Sequence, residues 1–185
     1  NVVVGMEAGG ALTSGTENVA VGFQAMKLVT TASSNVAIGN EAMENNVAAN
    51  NVAVGTKALR ANTTGTGNTA VGTAALLTNA TTSSNTAIGS GALTLSVASN
   101  NTAVGTGAAS ATTTGASNVA IGVNALDLNV GGAYNVAVGH LCNDTATGSS
   151  NNVAMGYNAL SAACGNNNTA VGHQCMKNST STYST

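Results

Sequence analysis

The sequence predicts an all-β fold, a parallel β-solenoid (β-roll) of eleven coils. The main observation is a repeated unit of 16 or 17 residues, shown in full by the stretch 51–67, NVAVGTKALRANTTGTG. A strict short period indicates stacked units that contact mainly their neighbours, so that the same side chains meet at every level. The units begin at Asn1, Asn18, Asn35, Asn51, Asn68, Asn85, Asn101, Asn118, Asn135, Asn152 and Asn168. We therefore expect one repeat domain, residues 1–177, followed by a short polar tail, 178–185.

The composition supports this fold and argues against several classes of function. Charged residues are 5% of the chain, aromatic residues are 2% and proline is absent, so small and β-branched side chains must supply the packing. The net charge of −2 leaves no basic surface for nucleic acid. No apolar run is long enough to span a bilayer, so we expect no membrane insertion. Because the numbering begins on the repeat itself, we expect the chain to be a piece of a longer protein.

The strand of each unit follows its first Asn. Three residues after that Asn, an unbroken apolar column of Val, Ile and one Met recurs, and we expect these side chains to form the core. One residue after the Asn only Val or Thr occurs, and period-two alternation places these side chains on the same face. The predicted core column consists of Val21, Ile38, Val54, Val71, Ile88, Val104, Ile121, Val138, Met155 and Val171.

The opposite face of the strand carries Ala two residues after the Asn in all units but the first, and Gly four residues after it in all eleven. A strand facing solvent would carry longer polar side chains, so this face indicates close packing against another backbone. That backbone is either a second wall of the same coil or a neighbouring chain, and the thinness of the coil favours a neighbouring chain. The candidate interface residues include Ala53, Gly55, Ala70, Gly72, Ala87, Gly89, Ala103 and Gly105.

The second half of each unit supplies another apolar anchor and a turn. An Ala-Leu pair seven and eight residues after the Asn forms the anchor in most units. The charged residues fall six or nine positions after the Asn, or at Glu17, and we expect these positions to face water. A turn rich in Thr and Ser follows, in which Gly15, Gly65 and Gly115 are expected to adopt positive φ.

The first Asn of each unit is a candidate structural residue. Its carboxamide can hydrogen-bond to the Asn of the coils above and below, which would pin the register of the stack. The alternative is that Asn serves only as a turn former at this position. The predicted ladder contains Asn18, Asn35, Asn51, Asn68, Asn85, Asn101, Asn118, Asn135, Asn152 and Asn168.

The residues give no indication of a catalytic site, a metal site or a cofactor. A calcium-binding β-roll needs Asp at fixed positions, and the chain has only Asp127 and Asp144. Glu41 and Glu44 are the one close pair of acidic residues, and both occupy positions expected to face water, so we expect no glycoside cleavage. We therefore expect that the protein is not an enzyme.

Three cysteines, Cys142, Cys164 and Cys175, lack the CxxC spacing of a zinc site or redox motif. Cys142 and Cys175 occupy the position held elsewhere by Ala and lie two coils apart. At the usual strand spacing this separates their Cα atoms by about 10 Å, beyond the reach of a disulfide. We expect small buried thiols.

His140, Tyr157 and His173 share the position immediately after the Gly in the last three units. We expect them to form a His-Tyr-His stripe on the outer surface. One interpretation is surface decoration. The other is a patch that contacts a glycan or a protein partner, because rings are scarce elsewhere in the chain. A metal site would need closer ligands, or further ligands from a symmetry mate.

Two stretches carry a resemblance to a known group of proteins: NVAVGTKALRANTTG at 51–65 and NTAVGTAALLTNATTSSNTAIGSGAL at 68–93. They resemble the Asn-Thr-Ala-(Ile/Val)-Gly repeats of phage tail-fibre and related cell-surface fibre proteins, and they are similar to the shorter repeats of YadA-like trimeric adhesin heads. The resemblance covers essentially the whole chain. It implies a left-handed, homotrimeric β-roll that acts as a structural and adhesive fibre segment. The implied location is extracellular, on a virion or cell surface, with a host-surface glycan or receptor as partner.

Two other functions fit a β-solenoid. An ice-binding solenoid would need a continuous array of Thr, but pairs such as Thr63-Thr64 are interrupted by Val and Ala in the third and sixth units. A self-assembling extracellular filament, with chains stacked end to end, is a variant of the fibre hypothesis.

Overall fold

The structure, a computed structural model, describes residues 1–145, 147–162 and 165–178. Within these ranges it is a parallel β-solenoid without helices, which confirms the predicted fold class. Each coil contributes one three-residue strand, and the strands form a single sheet in chain order. The strands are β1 (Val2–Val4), β2 (Val19–Val21), β3 (Val36–Ile38), β4 (Val52–Val54), β5 (Thr69–Val71), β6 (Thr86–Ile88), β7 (Thr102–Val104), β8 (Val119–Ile121), β9 (Val136–Val138), β10 (Val153–Met155) and β11 (Thr169–Val171). Of the predicted tail, only Asn178 lies within the described residues.

All neighbouring strands pair in the same register. Ala53 of β4 pairs with Ala70 of β5, and Ala70 pairs with Ala87 of β6. Equivalent residues of the repeat therefore form continuous columns along the solenoid axis, with about 4.8 Å between coils. Positions within a coil are counted from its first Asn, which is position 0.

Besides the Gly at position 4, most coils contain three positions with left-handed backbone, which the sequence did not indicate. In the fourth coil these are Lys57 at position 6 (φ 59°) and Leu59 at position 8 (φ 51°), and Asn50, just before the coil begins, has φ 61°. Left-handed backbone costs a non-glycine residue roughly 1–2 kcal/mol. It persists here because the N–H groups donate to adjacent coils, with Lys57 N 2.8 Å from the Asn40 carbonyl and Leu59 N 2.9 Å from the Ala75 carbonyl. These tight turns make the coil narrow.

The interior of the coil is lined by positions 2, 7 and 8. In the sixth coil Ala87, Ala92 and Leu93 have no exposed surface. Ala comes from the strand, and the larger Leu or Met comes from the opposite wall, so that small and large side chains together fill the narrow space. The buried core includes Ala20, Ala25, Met26, Ala37, Ala42, Met43, Ala53, Ala58, Leu59, Ala70, Ala75, Leu76, Ala87, Ala92, Leu93, Ala125, Leu126, Ala159 and Leu160.

The predicted core column at position 3 lies on the outside of the solenoid. Ile38, Ile88 and Ile121 are each 40% exposed, and Val171 is 63% exposed. The reason is the width of the coil: Leu or Met from the opposite wall fills the interior, so the strand can turn only Ala inward. The prediction was wrong for the whole column, which is exposed or half-buried: Val21, Ile38, Val54, Val71, Ile88, Val104, Ile121, Val138, Met155 and Val171.

The Ala column was wrongly assigned to an interface with a neighbouring chain. Ala53, Ala70, Ala87 and Ala103 are completely buried within the single chain, because the second wall of the same coil covers them. This wall was the alternative left open by the sequence.

The Gly column at position 4 packs against the next coil of the same chain. A Cβ atom added to Gly89 would lie 2.4 Å from the carbonyl oxygen of Gly105, and Gly89 has a φ of +134°. Both the close approach and the backbone conformation therefore require glycine. The candidate interface glycines Gly55, Gly72, Gly89 and Gly105 all contact the backbone of the following coil in this way.

The glycines of the second turn serve close packing and not the positive φ that we expected. Gly15, Gly65 and Gly115 are buried, and none of them has left-handed backbone. A Cβ atom on Gly65 would lie 2.1 Å from the carbonyl oxygen of Thr82 in the next coil. The approach of the neighbouring backbone therefore excludes a larger side chain at Gly65.

The hydrogen-bonded ladder predicted at position 0 is present. Along the whole column, the backbone N–H of each Asn donates to the Oδ1 atom of the preceding Asn at 2.9–3.0 Å. The Nδ2 group of Asn51 also closes its own coil by donating to the Gly65 carbonyl at 2.9 Å. One carboxamide thus joins two coils and also shapes the turn, so this Asn is not only a turn former. The buried ladder residues are Asn18, Asn35, Asn51, Asn68, Asn85, Asn101, Asn118, Asn135, Asn152 and Asn168.

A second buried polar column at position 11 was not predicted. Its Asn side chains satisfy carbonyl groups of the same turn: Asn62 Nδ2 lies 2.9 Å from the Gly65 carbonyl, and Asn129 Nδ2 lies 2.8 Å from the Gly132 carbonyl. The available signal was an Asn eleven residues after position 0 in four of the coils. This column shows that the interior is partly polar and hydrogen-bonded.

Candidate interaction surface

We define the outer sheet face as the side chains at positions 1, 3 and 5 of every coil. Positions 1 and 3 point away from the interior because position 2 points into it. Position 5 follows the Gly at the edge of the same sheet. The face contains no Asp, Glu, Lys or Arg. Its exposed large apolar residues are Val2, Val4, Met6, Phe23, Ile38, Ile88, Ile121, Val123, Met155, Tyr157 and Val171.

The outer sheet face is large for a single small chain. Eleven strands at about 4.8 Å and five residues at about 3.3 Å give a strip of roughly 50 by 15 Å, or about 750 Å². Aliphatic and aromatic side chains make up only part of this outline, because Thr, Ser, Asn and His share the face. Contiguous exposed apolar patches of about a few hundred Å² mark interaction sites. This strip is therefore the strongest candidate for a functional surface.

The predicted His-Tyr-His stripe lies on this face. The ring centres of His140 and Tyr157 are 5.6 Å apart and tilted by 47°, and those of Tyr157 and His173 are 5.2 Å apart and nearly parallel, at 17°. All three residues are exposed. Tyr157 has an imidazole on each side, so its neighbours already take up part of the ring surface that it could offer to a flat ligand.

The stripe does not have the geometry of a metal centre. The two imidazoles belong to coils that lie about 10 Å apart along the axis, whereas zinc ligands lie about 2 Å from the ion. Among the described residues, no group of three or more His, Cys, Asp or Glu side chains is close enough together to hold a metal ion. The same part of the chain has no pocket for a small molecule.

The charged residues at positions 6 and 9, which we call the charged flank, lie beside the outer sheet face, and each residue as a whole is exposed or half-buried. The side chains of Glu41 and Glu44 are only 20% and 14% exposed, so they face water less than we predicted. Lys27 Nζ lies 2.8 Å from Glu7 Oε2, and hydrogen bonds from Lys27 and Gln24 hold the pKa of Glu7 below its usual value. Arg60 Nε lies 2.8 Å from Glu44 Oε2 and 3.1 Å from Glu41 Oε2. The Arg60 guanidinium group therefore pairs with both glutamates of this close pair.

Two aspartates occupy neighbouring levels of the same flank. Asp127 accepts a hydrogen bond from the Ser110 hydroxyl. Burial, and then the charge of Asp127, raises the pKa of the Asp144 carboxyl. Asp144 thus carries a charge at an unfavourable site, in contrast to the paired glutamates.

The described cysteines are free thiols. Cys142 is completely buried in the Ala column at position 7, and burial raises its pKa to about 11. Cys175 occupies the same column two coils later and is half-buried. A thiol with a raised pKa is a poor nucleophile near neutral pH, so Cys142 is a packing residue. Cys164 lies outside the described residues.

Comparisons of the chain with protein-family models, with curated proteins and with solved structures find no match. In the part of the chain that the structure describes, no helix has the length and hydropathy needed to cross a membrane. The functional interpretation therefore depends on the surface just described and on the repeat pattern.

Proposed function

We propose that this chain is a structural and adhesive fibre segment whose copies associate side by side through the outer sheet face. The observation that carries the proposal is that face itself, which is exposed or half-buried, rich in aliphatic side chains, free of formal charge and continuous along the solenoid. The outline of the face, about 750 Å² per copy, is of the same order as the roughly 800 Å² that one partner contributes to a standard interface, and in a trimer two neighbours would share it.

Other features of the molecule support a mechanical function. Backbone hydrogen bonds and the Asn ladder join every coil to the next, which makes a continuous rod of roughly 50 Å. The repeats resemble those of phage tail fibres and trimeric adhesin heads, and on this basis we propose a homotrimer at a virion or cell surface. A host-surface glycan or receptor would be its partner, and no catalysis is proposed.

The mass of the full chain in solution tests the proposal. Light scattering at several concentrations should give a stable threefold mass. Replacing Ile88 and Ile121 on the outer sheet face by Lys should shift the mass to the monomer, because buried unpaired charges oppose association. The matched control makes the same replacement at Leu95 and Leu128, which lie in the same two coils at 46% and 47% exposure but off this face. This control should keep the oligomer. A wild-type monomer at all concentrations would contradict the proposal.

Ice binding is a second candidate, favoured by one observation. In the fifth to seventh coils the outer sheet face repeats hydroxyl, aliphatic and hydroxyl side chains across the sheet. These residues are Thr69, Val71, Thr73, Thr86, Ile88, Ser90, Thr102, Val104 and Thr106. If the wild-type chain is a monomer, inhibition of ice recrystallisation should be measured next, with Thr86 and Thr102 replaced by Lys as the face variant. An inactive monomer would exclude this candidate.

A further inference from the structure

The outer sheet face raises a problem of register for side-by-side association. Positions 1 and 3 hold nearly the same residues in every coil, so a copy shifted along the axis by one coil would still match ten of the eleven levels. Repetitive strand surfaces specify their register weakly for this reason. In a closed ring, the axial offset between neighbouring copies must be zero, because any offset opens the ring into a helical assembly.

Position 5 is the column of this face that varies most along the chain. It holds small polar residues in the middle and larger side chains towards both ends. In chain order the column is Met6, Phe23, Asn40, Thr56, Thr73, Ser90, Thr106, Val123, His140, Tyr157 and His173. All of these residues are exposed, so none is needed to fill the interior of the coil. Packing in the interior of the coil therefore gives no reason for this variation.

The three stacked rings are the most distinctive part of the column. The ring centre of Tyr157 lies 5.6 Å from that of His140 and 5.2 Å from that of His173, so the three rings make a continuous ridge over three coils. In aligned copies, levels with rings meet levels with rings, and levels with Thr or Ser meet their equivalents. A shift by one coil changes the partner at either end of the ridge, and a shift by three coils removes every ring-to-ring level.

We propose that position 5, and above all the ridge of His140, Tyr157 and His173, sets the axial register between copies of this chain. The occupant of the outer sheet face is a second copy, because only a surface with the same coil repeat matches the columns at every level. The absence of formal charge on the face and its area of about 750 Å² fit the same occupant. The inference rests on the proposed self-association and adds to it a residue-level rule for alignment.

The test measures distances between copies at known levels. In a background with Cys142, Cys164 and Cys175 replaced by Ala, one batch of full chains carries Thr64→Cys and another carries Thr114→Cys. Both threonines are exposed, lie off the outer sheet face and are three coils apart, about 14 Å along the axis. The batches receive two distinguishable spin labels and are refolded together, and pulsed electron resonance measures the distance between unlike labels.

Copies with the native stripe should give the discrete distances of one aligned assembly. The variant H140T/Y157T/H173T introduces the residue found at this position in other coils. It should keep the oligomeric mass but give a broad or multiple distribution, with axial offsets in steps of about 4.8 Å. The control replaces Leu28, Leu95 and Leu128, three exposed residues off the face, by Ala, and it should keep the discrete distances.

The variant H140T/Y157T/H173T, called the ringless variant, could fail to fold, and a rescue variant keeps the proposal testable in that case. Adding T73H, S90Y and T106H to the ringless variant moves the ridge to the fifth to seventh coils and should restore discrete distances. Discrete distances in the ringless oligomer, or a broad distribution in the wild-type oligomer, would overturn the register rule while leaving self-association intact. A monomeric wild-type chain would overturn both proposals.

Discussion

The two faces of a single strand follow different rules in this protein. In β6, Ala87 has no exposed surface, whereas its neighbour Ile88 is 40% exposed. The inward position is Ala in every strand after the first, while the outward positions alternate between Val, Thr, Ile and Met. The difference teaches that volume, more than hydrophobicity, decides which side chains enter so narrow a coil.

The outward face is constrained in another way. Its residues vary in size and polarity, but none of them carries a formal charge. A face that only met water would tolerate Lys or Glu at low cost. The same strand therefore has one side set by the interior of the coil and one side that lacks charge, and the proposed contact between copies would account for the second side.

The largest effect is expected on the inward side, at the Asn ladder. Asn101 accepts a hydrogen bond from Asn118 N at 2.9 Å and donates to the Gly115 carbonyl at 3.0 Å. Replacing Asn101 by Ala leaves the Asn118 N–H and the Gly115 carbonyl without this buried partner. We therefore expect a loss of about 2–4 kcal/mol in the free energy of unfolding. Denaturant unfolding at fixed protein concentration measures it.

The control for the ladder is Asn45→Ala. Asn45 is half-buried at position 10, where other coils carry Ala61 and Ala111, so we expect little change in stability. If Asn101→Ala proved as mild as Asn45→Ala, the ladder would not be a main source of stability.

A second, smaller effect compares adjacent residues of β6. Ala87→Val adds two methyl groups inside the filled coil and should cost about 1–3 kcal/mol. Thr86→Val places on the outer sheet face a residue that other coils already carry there, and should change stability by about 0.5 kcal/mol or less. The midpoint of thermal unfolding for the two variants is the measurement. Equal shifts would mean that the interior is less tightly filled than the burial of Ala87 indicates.

Much of the fold could be predicted because one period repeats along the whole chain. The Asn spacing placed the strands and their parallel register, and the aligned columns brought His140, Tyr157 and His173 together. The direction in which the strand faces could not be predicted in the same way. Both of its faces are apolar and alternate with period two, so periodicity alone does not distinguish them.

The missing information lies in the turns. The narrow coil depends on left-handed backbone at residues such as Lys57 and Leu59, and neither residue type signals that conformation. Without the width of the coil, Ile88 was the natural choice for the core and Ala87 for an interface. The uniformity of the Ala column was the one usable clue, because only a site without free volume keeps the same small residue at every level.

The smallest effect is expected in the charged flank, whose residues are mostly half-buried. Burial and the neighbouring charge of Asp127 raise the pKa of Asp144, while the charge of His140 acts in the opposite direction. A carboxyl with a raised pKa in the folded state binds its proton more tightly there than in the unfolded chain. Ionised Asp144 therefore destabilises the fold above its folded pKa, and this penalty disappears as the pH falls through that pKa towards the unfolded value.

Asp144→Asn should accordingly unfold at a higher temperature than the wild type at neutral pH, with the difference shrinking in acid. Asp127→Asn is the companion variant, and it should give a smaller gain by removing only the neighbouring charge. A gain for Asp144→Asn that did not depend on pH would show that the effect comes from the new amide and not from the lost charge.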